Sequence, residues 1–539
     1  MKKKLLVLIA LILVLCMTLT GCGLDFRGYF QQLLMMSMGG AMTNFADMVY
    51  TRPDMDNLQK VVDECCAKVA EAKNFNAVVA VIYEAYGPID EFSTAYALSN
   101  IYYCKDLTDG YWAEEYAFCA ENASVAQAAL DKFYRALAKS QYRTELEGDD
   151  YFGAGFFDDY EGESFYDEVF TGMLAEEAAL ENRYYTLCEQ AAGVEPGSQE
   201  FYTGYGAEME QLFVELIALR QEMADYLGYA SYPEFAYDFY YGRDYTVDQT
   251  TSYLADIRAE LVPLYELLCE NGVDATLGPC DGKEALDYVR EMAYAMGGTM
   301  RYAYESMINH KLYDIDYNEN KYDASFEVYI SGYHSPYIFM NPTLSEYDKL
   351  TFTHEFGHFC ADYANNGSAA GIDVAEVFSQ GMEYLSLCYV ADPGDLEIVK
   401  LVDCLSVMVE QSAYASFEQM VYGLEGEELT VENVRALFAQ VSQAYGFGSL
   451  GIDSRVYVQI THFFTNPLYV ISYVVSNDVA MQLYELEQAQ AGTGVAAMEQ
   501  AFYTAESGIV AFATANGLES PFADGRIHKL KETLQNVLN

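Results

Sequence analysis

The stretch His354-Glu355-Phe356-Gly357-His358 sets two imidazoles four residues apart, with a carboxylate beside the first. On a helix of 3.6 residues per turn both histidines leave from one face, one turn apart. That is the spacing at which a helix offers two ligands to a single Zn²⁺. Glu355 then sits next to the open position of the metal, where it can take a proton from water. With 6 His and 82 Asp plus Glu among 539 residues, chance produces this pattern roughly 0.01 times in such a chain. The competing reading is a helix that merely carries two satisfied histidines.

A zinc site of this kind needs a third protein ligand. A continuation HExxHxxGxxH would place Gly and His where this chain has Ala361 and Ala364, so the third ligand is not a histidine at that position. Instead Asn365-Asn366-Gly367-Ser368 reads as a helix stop and a turn. A second helical stretch follows and carries Asp373, Glu376 and Glu383. Glu376 lies far enough beyond His358 for the chain to reverse and return a carboxylate to the metal, and it is the first choice. Asp373 and Glu383 are the alternatives, with Glu383 suited equally to orienting a ligand or to a solvated helix face.

These residues resemble the M3 metallopeptidases, in particular the oligoendopeptidase F-like branch that also includes relatives of thimet oligopeptidase. His354-Glu355-Phe356-Gly357-His358 matches the HEFGH form of that family, and Glu376-Val377-Phe378-Ser379-Gln380 is similar to its downstream glutamate segment. The strand-like Pro336-Tyr337-Ile338-Phe339-Met340-Asn341 and the segment Leu219-Arg220-Gln221-Glu222-Met223-Ala224 with Leu227-Gly228-Tyr229 also resemble it. So do His462-Phe463-Phe464 and Leu468-Tyr469-Val470-Ile471-Ser472-Tyr473. The interval from His358 to Glu376 is several residues shorter than in most members, and Ile471 stands where many have tyrosine.

The resemblance implies a mainly α fold: a two-lobed helical body enclosing a deep substrate channel, with a small β-sheet beside the zinc helix. It implies one Zn²⁺ per chain, held by His354, His358 and Glu376, and hydrolysis of oligopeptides by direct attack of water. Glu355 would act as general base, while His462 and Tyr469 or Tyr473 would stabilise the oxyanion. Asn466-Pro467 reads as an N-cap and first helical position, so Tyr469 and Tyr473 are expected on one face of a helix that starts there, with His462 in the loop entering it. Two rival readings are a non-catalytic peptide-binding lipoprotein of the same fold and a thermolysin-like protease acting on longer proteins. Of the remaining histidines, His334 has the context of a loop before a strand; His310 and His528 have no functional context.

Lys2-Lys3-Lys4 and the apolar run from Leu5 to Leu19 form a secretory signal, and Leu19-Thr20-Gly21-Cys22 resembles a bacterial lipobox. The expected organisation is a lipoprotein signal peptide over 1–21, a lipid-anchored segment over 22–49, an amino-terminal helical lobe over 50–198 and a catalytic lobe over 199–539. Lipidation of Cys22 would leave the domain exported and tethered to the outer face of the cell membrane, each buried methylene adding about 0.8 kcal/mol. A formal charge of −53 argues against nucleic acid as a partner and leaves the tether, not electrostatics, to hold the membrane. Oligopeptides are the expected partners, and a monomer is expected.

The 12 Cys show no CxxC pair or His-spaced cluster, so a structural zinc site is excluded and buried helical thiols are expected. Apolar residues recur at helical spacing over 55–72, 113–139, 208–227, 246–271 and 282–295, and strand signals fall at 324–330 and 337–340. Residues 148–168 have no period and read as a loop.

Overall fold

Small polar residues placed ahead of apolar runs decide where many helices begin. Asp54, Asn74, Asp109, Thr246 and Asp281 each accept, on a side-chain oxygen, a backbone N–H of the turn that follows. A helix start otherwise leaves these donors unpaired. At Thr246 and Asp281 the third helical residue, Gln249 or Glu284, returns the bond and closes a capping box. The computed structural model describes residues 42–538 apart from 149–151, 154, 162–166, 192, 274, 368–369 and 505. The expected signal segment 1–21, Cys22 and the expected anchored segment as far as residue 41 lie outside the described residues.

The fold is mainly helical with one small sheet. Helices run over Met55–Glu71, Gly110–Ala138, Ala207–Leu227 and Gly282–Met296, as the periodicity predicts. The stretch 246–271 is not one helix but two, Val247–Glu260 and Val262–Asn271. Pro263 lacks the N–H that a continuous helix needs and serves instead in the first turn of the second. In the region read as a loop, the described residues include a short 3₁₀ turn, Asp158–Tyr160, and Phe152 and Phe157 are buried in the core. The cysteines of the described residues are all free thiols, as expected of helical packing. No helix among the described residues is long and apolar enough to cross a membrane.

The described chain divides into two compact units, one of residues 42–166 and 278–367, the other of 167–277 and 370–538. In the first unit, Leu58, Val62, Cys65 and Val69 make one stripe along their helix. They pack with Val78, Ile82 and Ile89 of the helix Phe75–Lys105 and with Leu130, Phe133 and Leu137 of the next. Each such side chain, fully buried, contributes about 1.5–3 kcal/mol.

The same unit carries three strands, β1 (Tyr313–Asp314), β2 (Ser325–Ile330) and β3 (Ser335–Met340), in the order β1-β3-β2. β3 is parallel to β1 and antiparallel to β2, with Phe326 opposite Phe339 and the two rings stacked 4.9 Å apart. Buried Lys321 ties the sheet end together. Its Nζ donates to Asp314 Oδ1 at 2.9 Å, to the Asp316 carbonyl at 2.8 Å and to the Met340 carbonyl at 2.7 Å. The helix Tyr347–Asn365, which carries the HExxH stretch, packs across β2 and β3.

In the second unit the helix Ile372–Tyr389, which carries Glu376, lies along the helix Ile471–Ala489. Gly381 permits the approach: a Cβ there would stand 2.7 Å from both Leu483 Cδ1 and Met498 Cε. Two polar pairs fix the register of these helices, Gln380 Nε2 donating to Ser476 Oγ at 3.0 Å and Tyr384 Oη to Asn477 Oδ1 at 2.6 Å.

Candidate functional site

The HExxH helix begins at a tightly bound turn. Buried Asp348 accepts the Thr343 N–H at 2.9 Å and hydroxyl at 2.8 Å on one oxygen, and the Ser345 N–H at 3.2 Å on the other. The helix ends where the sequence predicts, at Asn366 in the left-handed region (φ 51°), followed by Gly367 at φ 93°. Between these ends Phe352, Phe356, Gly357, Phe359 and Cys360 are buried, so the helix is gripped along its length. His354 and His358 stand one turn apart with ring centroids 5.1 Å apart and planes at 78°.

Burial, and then the neighbouring His354, hold the His358 imidazole well below its usual pKa, in the neutral form a metal requires. Its Nε2 is buried and has no hydrogen-bond partner among the described residues. A buried polar nitrogen left unpaired costs free energy that a bound cation would recover. Glu355, next in sequence to His354, is buried as well. Behind it, on β2, desolvation followed by the Asp362 and Glu355 carboxylates pushes Glu327 well above the usual carboxylate range. Acidic side chains gathered beside the neutral His358 imidazole make an environment that favours a divalent cation.

The remaining candidates share the second unit. Glu376 is buried; its Oε1 accepts the Tyr469 hydroxyl at 3.3 Å and its Oε2 the Ser379 hydroxyl at 3.1 Å. The two alternatives on that helix are committed elsewhere. Asp373 pairs with buried Arg243 at 3.6 Å. Glu383 pairs with buried Lys400 at 2.8 Å, and Lys400 also holds Asp403 at 3.1 Å. His462 is buried and its Nε2 lies 3.3 Å from the Tyr473 hydroxyl. The His462 and Tyr469 rings are 5.4 Å apart and the Tyr469 and Tyr473 rings 5.1 Å apart, so Glu376, His462, Tyr469 and Tyr473 form one group.

Two local expectations are corrected. The helix carrying Tyr473 starts at Ile471, not at Pro467, and His462 lies within a short helix, Thr461–Thr465, not in a loop. Asn466 closes that short helix at its carboxyl end. Between the helices, Leu468 adopts φ 63°, a left-handed conformation that interrupts a right-handed helix. Buried and half-buried side chains hold that interruption in place. Glu418 accepts the Leu468 N–H at 2.6 Å, the Tyr241 hydroxyl donates to the Pro467 carbonyl at 2.7 Å, and Arg243 Nη2 donates to the Leu468 carbonyl at 3.0 Å. Arg220 grips the preceding turn, donating from Nη1 to the Phe463 carbonyl at 2.9 Å and from Nη2 to the Phe464 carbonyl.

Sequence reasoning noted Arg220 only inside a family-like segment and missed Arg243, Glu418 and Tyr241. The available signal was compositional: in a chain with 29 Lys plus Arg against 82 Asp plus Glu, an Arg set among tyrosines, as in Tyr240-Tyr241-Gly242-Arg243-Asp244-Tyr245, is worth inspection. Of the other histidines, His334 sits at φ 47° in the turn between β2 and β3, His310 Nδ1 contacts the Ser306 carbonyl at 2.9 Å, and His528 is a surface residue 3.4 Å from Glu260.

Residues 45–164 match the family model of the Peptidase M3 N-terminal domain. No curated protein sequence matches the chain. Among solved structures, a protein assigned as oligoendopeptidase F is 21% identical, covers 92% of this chain and 99% of its own, and superposes with a TM-score of 0.80. PZ peptidase A, solved with an inhibitor, is 19% identical, with 92% and 99% coverage and a TM-score of 0.81. A protein from Bacillus anthracis str. Ames, also assigned as oligoendopeptidase F, is 20% identical over 93% of this chain and 98% of its own, with a TM-score of 0.76. Residues 45–164 thus resemble the amino-terminal domain of M3 peptidases, and the fold over nine-tenths of the chain is the one seen in structures assigned as oligoendopeptidase F.

Proposed function

We propose that this protein is a zinc metallopeptidase that hydrolyses oligopeptides, exported and anchored to the cell membrane through lipidated Cys22. The observation that carries the enzymatic reading is the HExxH helix itself: two imidazoles one turn apart, one with a buried unpartnered Nε2, beside a buried Glu355. By the resemblance of their segments we assign His354, His358 and Glu376 as the donor set for one metal ion; two imidazole nitrogens and a carboxylate oxygen are a combination that suits Zn²⁺. Glu376 is favoured over Asp373 and Glu383 because those two already neutralise buried cations. When bound, zinc supplies a Lewis acid that polarises the scissile carbonyl and acidifies water.

The chain's own residues do the rest. Glu355 accepts the proton of the attacking water and returns it to the leaving amine. Tyr469 orients the Glu376 carboxylate through its hydroxyl, and His462, paired with Tyr473, offers donors to the oxyanion. β2 forms one edge of the sheet, and its unpaired side can take up an extended peptide backbone. Export rests on Lys2-Lys3-Lys4, the apolar run and Cys22.

The test is to strip the purified protein with a chelator, restore zinc, and follow a mixed library of peptides of graded length by mass spectrometry. Cleavage that disappears with the metal and returns with about one zinc per chain is expected. A zinc-loaded protein that binds peptides and cuts none would replace this reading with the peptide-binding one. For the anchor, Cys22→Ser is expected to abolish incorporation of a labelled fatty acid and to release the protein from bacterial membranes; unchanged labelling would remove the lipoprotein reading.

A further inference from the structure

The guanidinium of Arg243 is buried, its side chain wholly inaccessible, which is expensive for a permanent cation. It lies over the rings of Tyr237 and Tyr241, 4.3 Å from each centroid, and 5.7 Å from that of Tyr245. Three aromatic faces of this kind stabilise a cation that has lost its water. From this cage it reaches two elements far apart in sequence. Nη2 donates to the Leu468 carbonyl at 3.0 Å and to the Ser472 hydroxyl at 2.9 Å, on either side of Tyr469. Nε faces Asp373 Oδ2 at 3.6 Å, in the first turn of the helix that presents Glu376 one turn later.

Leu468 is the key position on the first element. Its φ of 63° is costly for a branched side chain, and its peptide groups are held from both sides, the N–H by Glu418 at 2.6 Å and the carbonyl by Arg243. The left-handed step turns the chain so that Tyr469 points at Glu376 and its hydroxyl reaches Oε1 at 3.3 Å. Had the helix continued back to Pro467, as the sequence invites, the side chain of Tyr469 would leave in another direction.

We propose that Arg243 is a positioning residue, a caged guanidinium that fixes Tyr469 against Glu376 by holding the Leu468 carbonyl and Ser472 hydroxyl on one side and Asp373 on the other. It acts through these partners and not on substrate. The proposal rests on the metallopeptidase reading above, in which Glu376 is a zinc ligand. Lysine cannot take its place, because an ammonium has neither the planar fork nor the reach to serve both elements at once.

The test compares the parent with Arg243→Lys, Arg243→Ala, Ser472→Ala and Asp373→Asn. Three readouts are taken: the zinc dissociation constant by competition with a chromophoric chelator, kcat and KM on an internally quenched peptide, and thermal unfolding. For Arg243→Lys we expect zinc affinity lowered about tenfold and kcat lowered about 10–100-fold, with KM within about twofold of the parent. Ser472→Ala, which removes one partner and little volume, is expected to lower kcat about threefold at nearly unchanged melting temperature. In Arg243→Ala, added guanidinium ion is expected to restore part of kcat, a recovery that a loss of packing alone would not show. Should Arg243→Lys fail to fold, Ser472→Ala and Asp373→Asn decide. An active, zinc-binding parent matched in zinc affinity and kcat by its folded variants overturns this inference alone. A parent that binds no zinc and cuts nothing overturns the proposed function and this inference with it.

Discussion

At the residue scale, the placement of His354 and His358 one turn apart beside Glu355 was legible because a helix converts a four-residue spacing into geometry without help from the rest of the chain. For the third ligand the sequence offered Glu376 with alternatives, and the choice among them stays a proposal. Asp373 and Glu383 share its helix, and what separates them is Arg243 and Lys400, whose positions no local pattern reveals. The separation is testable. Glu376→Gln is expected to lose zinc binding by at least about tenfold. Glu383→Gln is expected to keep zinc but to lose about 3 kcal/mol of stability, because buried Lys400 loses a counter-charge. Zinc titration and urea unfolding of the two variants check this; the reverse pattern would make Glu383 the ligand. Tyr469→Phe removes the hydroxyl that meets Glu376, and a drop in kcat of about 10–100-fold is expected with the fold intact.

At the scale of elements, the helix starts at Met55, Ala207, Val247 and Gly282 were read within a residue and that at Gly110 within three, since apolar periodicity is a local signal. The start of the Tyr473 helix was misread because Asn466-Pro467 carries a valid local signal that tertiary contacts override. Glu418, Arg243 and Tyr241, all distant in sequence, hold the peptide groups that a helix from Pro467 would have paired internally. Close packing of the Glu376 and Tyr473 helices was equally invisible, as it depends on what a Cβ at Gly381 would strike. Gly381→Val is therefore expected to destabilise the fold by about 1–3 kcal/mol through overpacking and to lower kcat more than KM. Unfolding midpoints and steady-state kinetics measure both; a variant with parental stability and kcat would show that the approach of these helices is not constrained there.

At the scale of the whole molecule, composition announced an acidic globular chain and nothing of how its buried charges are arranged. Burial lifts Glu410 to about 7, against a hydrogen bond from Tyr265 that favours ionisation, and lifts Glu418 to about 8. An acid whose folded pKa lies above its unfolded value keeps its proton longest in the native state. Stability is then greatest below about pH 4.5 for these groups and falls as pH rises towards 7 and 8. Glu410 accounts for about 3 kcal/mol of that fall, so Glu410→Gln is expected to flatten the decline of urea-unfolding free energy between pH 5 and 7, roughly the window set by its shift. An unchanged slope would contradict it.

The mainly helical fold with its small sheet was legible from a few motifs, because each motif requires a specific local geometry. The two-unit division, in which residues 278–367 join the amino-terminal residues, was not. It follows from packing between segments remote in sequence. The most direct test of the enzymatic reading is Glu355→Gln beside the parent, with zinc content and peptide cleavage measured on the same preparations. Both proteins are expected to hold about one zinc, and the variant to cut peptides about 10²–10⁴-fold more slowly or not at all. A Glu355→Gln protein that holds zinc and cleaves at the parental rate would show that Glu355 is not the base and that the chemistry lies elsewhere.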